Sequence, residues 1–193
     1  MNKNTITKTN LKTKTTTRNE YDIYHSSILT QKVSLLITEI DEKIEQKLQE
    51  KLQSTIEGKC IKEGFIKPNT IKILNCSSGN VNSEHIEFYA TFECQITHPT
   101  QGMIIEDCEI QNITNAGIHA HKKDNDNVIP LTIFVAYDHN KKDYKYKKII
   151  EEKTTFINIK VIGVRFELND SYICVIGEIF LPTKKNGGET III

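Results

Sequence analysis

The stretch Ile86-Glu87-Phe88-Tyr89-Ala90-Thr91-Phe92-Glu93-Cys94-Gln95-Ile96 alternates without a break, with Ile86, Phe88, Ala90, Phe92, Cys94 and Ile96 on one side and Glu87, Glu93 and Gln95 among the residues opposite. Period two sustained over this length is the signature of a β-strand with one buried face. The strand stops at His98-Pro99-Thr100-Gln101-Gly102, where a Pro and a Gly interrupt the pattern, and a domain boundary is placed there. An apolar face of this size needs a partner layer, and the flanking sequence supplies candidates on both sides.

Upstream, Val33, Leu35 and Ile37 mark a strand over Lys32–Ile37. Ile40, Ile44, Leu48 and Leu52 then recur every four residues between Glu, Lys and Gln, with Ile56 extending the stripe, which is the pattern of an amphipathic helix lying on the sheet. Thr38 is expected as its N-cap and Gly58 as the C′ residue that ends it. Cys60 to Leu74 reads as one or two strands broken at Gly64 and Pro68, and Asn75 to Ser83 as a polar loop.

Downstream, Met103–Ile113, Ile118–His121 and Leu131–Tyr137 read as three strands, with turns at Asn115-Ala116-Gly117 and Asp124–Asn127. Asp138–Lys148 is a charged excursion. Phe156–Phe166 and Tyr172–Phe180 pair across a turn containing Asn169-Asp170. Five strands with one long polar connection between the third and fourth fit a small barrel of the OB type, an architecture that binds oligonucleotides. The expected class is therefore α+β. A disordered basic tail occupies residues 1–20 and an α/β domain with one helix on an antiparallel sheet residues 21–99; an OB-type five-stranded barrel over 100–181 precedes a loose tail, 182–193.

The formal net charge is zero, so only local charge can select a partner. His119, His121, Lys122 and Lys123 line the second barrel strand and its exit. Tyr137, His139, Lys141, Lys142, Tyr144, Lys145, Tyr146, Lys147 and Lys148 put cations beside rings, a combination suited to phosphate contacts and base stacking. Residues 1–18 add five cations with no acid. These residues are the candidate RNA-binding set.

Catalytic patterns are missing: there is no GxxxxGK[ST], GxSxG or HExxH. Glu106 and Asp107 point to opposite strand faces, and His119 and His121 share a face with no Cys or carboxylate at ligand spacing, so neither an active site, a metal site nor a cofactor is expected. The five cysteines, Cys60, Cys76, Cys94, Cys108 and Cys174, form no CxxC pair, and Cys60, Cys94 and Cys174 fall in apolar or alternating stretches. They are read as reduced thiols of a cytosolic or nuclear protein. No apolar run approaches the length of a membrane span.

In order, the chain offers a strand, a helix ending at Gly58, the block Gly58-Lys59-Cys60 followed by Gly64-Phe65-Ile66, a long strand ending at Pro99, Gly102 opening a barrel, Asn115-Ala116-Gly117-Ile118, and a hairpin from Ile162-Gly163 through Arg165 and Asn169-Asp170 to Ile176-Gly177. This succession resembles the larger stalk subunit of multisubunit DNA-directed RNA polymerases, the seventh subunit of RNA polymerase II and its archaeal counterparts, from about Tyr21 to Phe180. The resemblance implies a non-catalytic subunit of a nucleotidyltransferase complex that docks on the polymerase core, pairs with a smaller stalk partner and meets emerging single-stranded RNA. Gly58, Cys60, Gly64 and Phe65 would belong to the core-docking tip, and Gly102, Gly117, Gly163 and Gly177 to barrel turns and packing points. The chain departs from the pattern at residues 1–20 and at its C-terminus, which lacks the acidic-aromatic tail. The alternative is a free-standing OB-fold RNA-binding or translation-factor-like protein. Lys is used 23 times and Arg twice, with abundant Ile and Asn, which points to an AT-rich genome such as that of a large DNA virus or some protists. Virion and cytoplasmic viral factory would be the locations in the first case, the nucleus in a cellular one.

Overall fold

The computed structural model describes residues 23–137, 149, 151 and 154–181. The stretch that opened the reading is β6 (His85–Thr97), and it organises the N-terminal half. β1 (His25–Leu36) runs antiparallel along its whole length, from His25 opposite Ile96 to Leu36 opposite His85. The other edge of β6 is shared by β5 (Asn80–Asn82), β4 (Lys72–Cys76) and β3 (Gly64–Ile66), and β2 (Cys60–Ile61) pairs with β3. The result is a six-stranded antiparallel sheet.

One helix, α1 (Ile44–Ile56), covers the apolar face of this sheet. Leu48, Leu52 and Ile56 are buried with Val33, Leu35, Phe88, Ala90, Phe92, Cys94 and Ile96, each large side chain contributing about 1.5–3 kcal/mol of transfer free energy. Thr38 is not the N-cap. Ile37–Glu39 form a single 3₁₀ turn closed by Glu39, whose carboxylate accepts the Leu36 N–H at 2.9 Å, and Ile40 is extended, so α1 starts at Ile44. The last turn ends as expected: Gly58 takes φ +69° and donates its N–H to Ile66 O at 3.0 Å. Glu57 then ties down the next loop by accepting the N–H groups of Asn69, Thr70 and Ile71 at 3.0–3.1 Å. The segment 75–83 is only partly loop, because Asn80–Asn82 pair with His85–Glu87.

The C-terminal half is a closed barrel of five strands: β7 (Ile104–Thr114), β8 (Gly117–Lys122), β9 (Leu131–Ala136), β10 (Phe156–Arg165) and β11 (Ile173–Phe180). Around the barrel the order is β7-β8-β9-β11-β10 and back to β7; β9 and β11 are parallel and all other pairs antiparallel. Its interior is filled by Ile105, Cys108, Ile118, Ala120, Leu131, Ile133, Val135, Ile157, Ile159, Val161, Ile173, Val175 and Ile179. Each of the five strands read from the sequence is present to within a few residues. The turn at Asn169-Asp170 behaves as its composition suggests: Asn169 adopts φ +69° and Asp170 Oδ2 accepts the Glu167 N–H at 2.7 Å.

That turn also joins the halves. Asn169 N–H donates to Cys60 O at 2.8 Å and Cys60 N–H donates to Asp170 O at 2.7 Å, so the tip of the β10–β11 hairpin hydrogen-bonds to β2. Phe65 and Cys60 pack into the barrel's own apolar cluster with Ile23 and Tyr24. Lys67 reaches Asp126 at 2.7 Å and Asp124 at 3.3 Å on the β8–β9 connection. His98 Nδ1 lies 2.9 Å from Glu63 O, and its ring stands edge-on to Phe166 at 5.5 Å.

Candidate nucleic-acid interface

Alternation along β8 decides which of the expected residues can meet a ligand. Ile118 and Ala120 point into the barrel, so His119 and His121 point out. Lys122 has the inward parity. At the strand's end it turns its Nζ to donate to Glu106 O at 2.7 Å. Lys123 is tied to Glu109 at 2.7 Å. Tyr137 follows β9 and donates its N–H to Ala116 O at 2.9 Å, beside the β7–β8 turn. His139, Lys141, Lys142, Tyr144, Lys145, Tyr146 and Lys147 lie outside the described residues, as do the basic residues 1–18 and the C-terminal tail.

Cross-strand register assembles residues that are far apart in sequence. One row of outward positions runs from Phe156 on β10 to Glu109 on β7, His121 on β8, Thr132 on β9 and Cys174 on β11. Because a barrel closes with a stagger, the row returns to β10 at Arg165, the other end of the strand on which it began. The adjacent row runs Asn112, His119, Phe134, Ile176. His119 and Phe134 form a tilted ring pair with centroids 4.8 Å apart. Phe156 is 55% exposed and Ile176 48%.

An outer barrel surface carrying two phenylalanine rings and two histidines is unusual, because solvated strand faces are ordinarily polar. Cross-strand neighbours on one face sit about 5 Å apart, so each ring has a polar group within reach of the edge of anything stacked on it. The polar groups are coupled to one another. His121 Nε2 lies 3.3 Å from Glu109 Oε2 and 3.1 Å from the Gln111 side-chain nitrogen. Hydrogen bonding from the Lys123 ammonium, reinforced by His121, holds the Glu109 carboxyl below the usual carboxylate range. A carboxylate therefore does stand beside His121, supplied by β7 across the ladder, although none lies at ligand spacing along the chain. Among the described residues no three His, Cys, Asp or Glu side chains converge on a point that could hold a metal ion.

The residues expected at a partner-facing tip are placed differently. Phe65 and Cys60 are each 1% exposed and belong to the apolar core between the halves. Gly64, at φ +138°, lies so close to β6 that a Cβ there would come within 2.3 Å of Thr97 O. Gly58 serves as the helix stop. The side chains of Cys60 and Phe65 thus pack on the chain's own barrel.

Thiol positions divide in the same way. Burial pushes the Cys60 thiol up to about 12, helped by Asp170, and raises Cys94 to about 11 and Cys108 to about 12. Cys174, grouped in the sequence reading with the buried thiols, is exposed on the outer row.

Phe134, Phe156, Glu109, Gln111 and Asn112 were not legible as site residues. Their common signal is outward parity beside His119 and His121, which depends on knowing the register. In comparisons with known proteins, no family model matches the chain, and no curated protein matches it.

Proposed function

We propose that the chain is a non-catalytic protein that holds single-stranded RNA on the outer face of an OB-type barrel, and that it serves as the larger stalk subunit of a DNA-directed RNA polymerase, with core subunits and a smaller stalk partner as its protein contacts. The observation that carries the RNA-binding part is the barrel: the order β7-β8-β9-β11-β10 with one parallel pair, β9 with β11, combined with rings and histidines on the outer face of β8 and β9. In OB barrels the face of the second and third strands binds oligonucleotides. Here those strands are β8 and β9.

The stalk assignment rests on the order of motifs along the chain, and the close joining of sheet and barrel is compatible with a two-part rigid arm. One observation favours the alternative of a free-standing OB-fold RNA-binding or translation-factor-like protein, namely that Phe65 and Cys60 are consumed within the chain. Purification of the tagged protein from its native source separates the two. Recovery of the large polymerase subunits supports the stalk role; recovery of RNA without polymerase leaves the free-standing role. Binding of the full chain to single-stranded RNA that is unaffected by Phe134→Ala and Phe156→Ser together would remove the proposed interface.

A further inference from the structure

We infer that Glu109 gives the outer barrel face a preference for bases that present an amine on their pairing edge, cytosine over uracil being the clearest case; this rests on the single-stranded RNA reading above. Phe156 is the more exposed of the two phenylalanines in these rows, and its direct cross-strand neighbour is Glu109. A base stacked on Phe156 therefore places its edge over the position occupied by the carboxylate, about 5 Å away. Lys123 and His121 both converge on Oε2, leaving Oε1 to accept a hydrogen bond. An ionised carboxylate only accepts. It takes a hydrogen bond from the N4 amine of cytosine and repels the O4 carbonyl that replaces that amine in uracil.

The same carboxylate limits phosphate binding, because it engages Lys123 and His121, two of the donors that a phosphate would otherwise use. Base edge and stacking then dominate over charge on this face. A single hydrogen bond of ordinary net strength on an open face supports a discrimination of about threefold to tenfold.

Short oligocytidylate and oligouridylate of equal length, titrated into the full chain at slightly alkaline pH and followed by fluorescence anisotropy, test this. Wild-type protein is expected to bind the cytidylate about threefold to tenfold more tightly. Glu109→Gln presents a donor as well as an acceptor, so the ratio falls to about one and uridylate binding rises. Lys123→Ala weakens both oligomers and keeps the ratio. Equal binding of the two oligomers to wild type overturns the inference, as does a ratio that survives Glu109→Gln. If neither oligomer binds, or binding ignores loss of Phe134 and Phe156, the interface itself is wrong and the preference falls with it; equal but ring-dependent binding removes the preference alone.

Discussion

The buried joint between sheet and barrel and the open outer face of the barrel are built from similar side chains. Both bring side chains together from distant strands, and both combine aromatic rings, at least one histidine, a lysine and at least one carboxylate. They differ in what completes them. At the joint the key groups have partners inside the chain: Lys67 between Asp124 and Asp126, Phe65 in the core, His98 against Phe166. On the outer face the polar groups bond sideways to one another, Phe156 is 55% exposed, and Phe134 meets His119 in a tilted ring pair. Satisfied contacts of this kind stabilise; rings left open to solvent are where a ligand gains most by binding.

Breaking the joint should therefore cost stability, and breaking the face should cost only binding. The largest effect is expected for Phe65→Ala, which opens a cavity between the halves and should lower stability by about 3–5 kcal/mol, measured by urea denaturation. Gly64→Ala comes next: a side chain at φ +138° facing Thr97 O at 2.3 Å should cost roughly 1–3 kcal/mol in backbone strain before any repacking, read as a lower melting temperature.

Lys67→Met should be milder, about 1–2 kcal/mol, because it leaves the Asp124 carboxylate, 6% exposed, short of its cation. Its pH signature sharpens the test. Hydrogen bonding of its ammonium to Asp126, with Asp124 adding to it, raises Lys67 above its ordinary value of 10.5. A raised lysine contributes stability that is fully present below 10.5 and is lost as pH climbs through the elevated value. Alkaline titration should thus narrow the gap between wild type and Lys67→Met, and a constant gap would contradict the role given to Lys67. The smallest effect on folding belongs to Phe156→Ser, within about 0.5 kcal/mol, since the ring is already half in solvent. The same change should weaken single-stranded RNA binding by about 1–3 kcal/mol per stacked base. A stability loss as large as that of Phe65→Ala would show that Phe156 is structural.

What could be read from the sequence followed from patterns that are local. β6 is legible because each of its alternate residues meets the same layer, and the second half of α1 because Leu48, Leu52 and Ile56 all face the sheet. The first turn of that helix was misplaced because the apolar spacing continues through Ile37 and Ile40 while the backbone is diverted by Glu39. The barrel was visible as five strands separated by good turns. Its face was only half visible. His119 and His121 are on it, while Lys122 shares parity with the inward Ile118 and Ala120. Phe134, Phe156 and Glu109 could not be gathered, because nothing local tells which residue of β10 lies opposite which residue of β7. The burial of Phe65 was hidden for a related reason: a Gly-Phe-Ile block looks the same whether its Phe inserts into another protein or into the next domain.

The division of thiols has a practical use. With Cys60, Cys94 and Cys108 buried and protonated far above neutral pH, a maleimide dye in brief exposure will favour Cys174, with half-buried Cys76 as the competitor to remove by substitution with Ser. Cys174 shares a row with Thr132 and His121, close enough to feel a ligand and without a bond that labelling would break. The native chain thus carries its own attachment point for a reporter at the margin of the surface it is meant to report on.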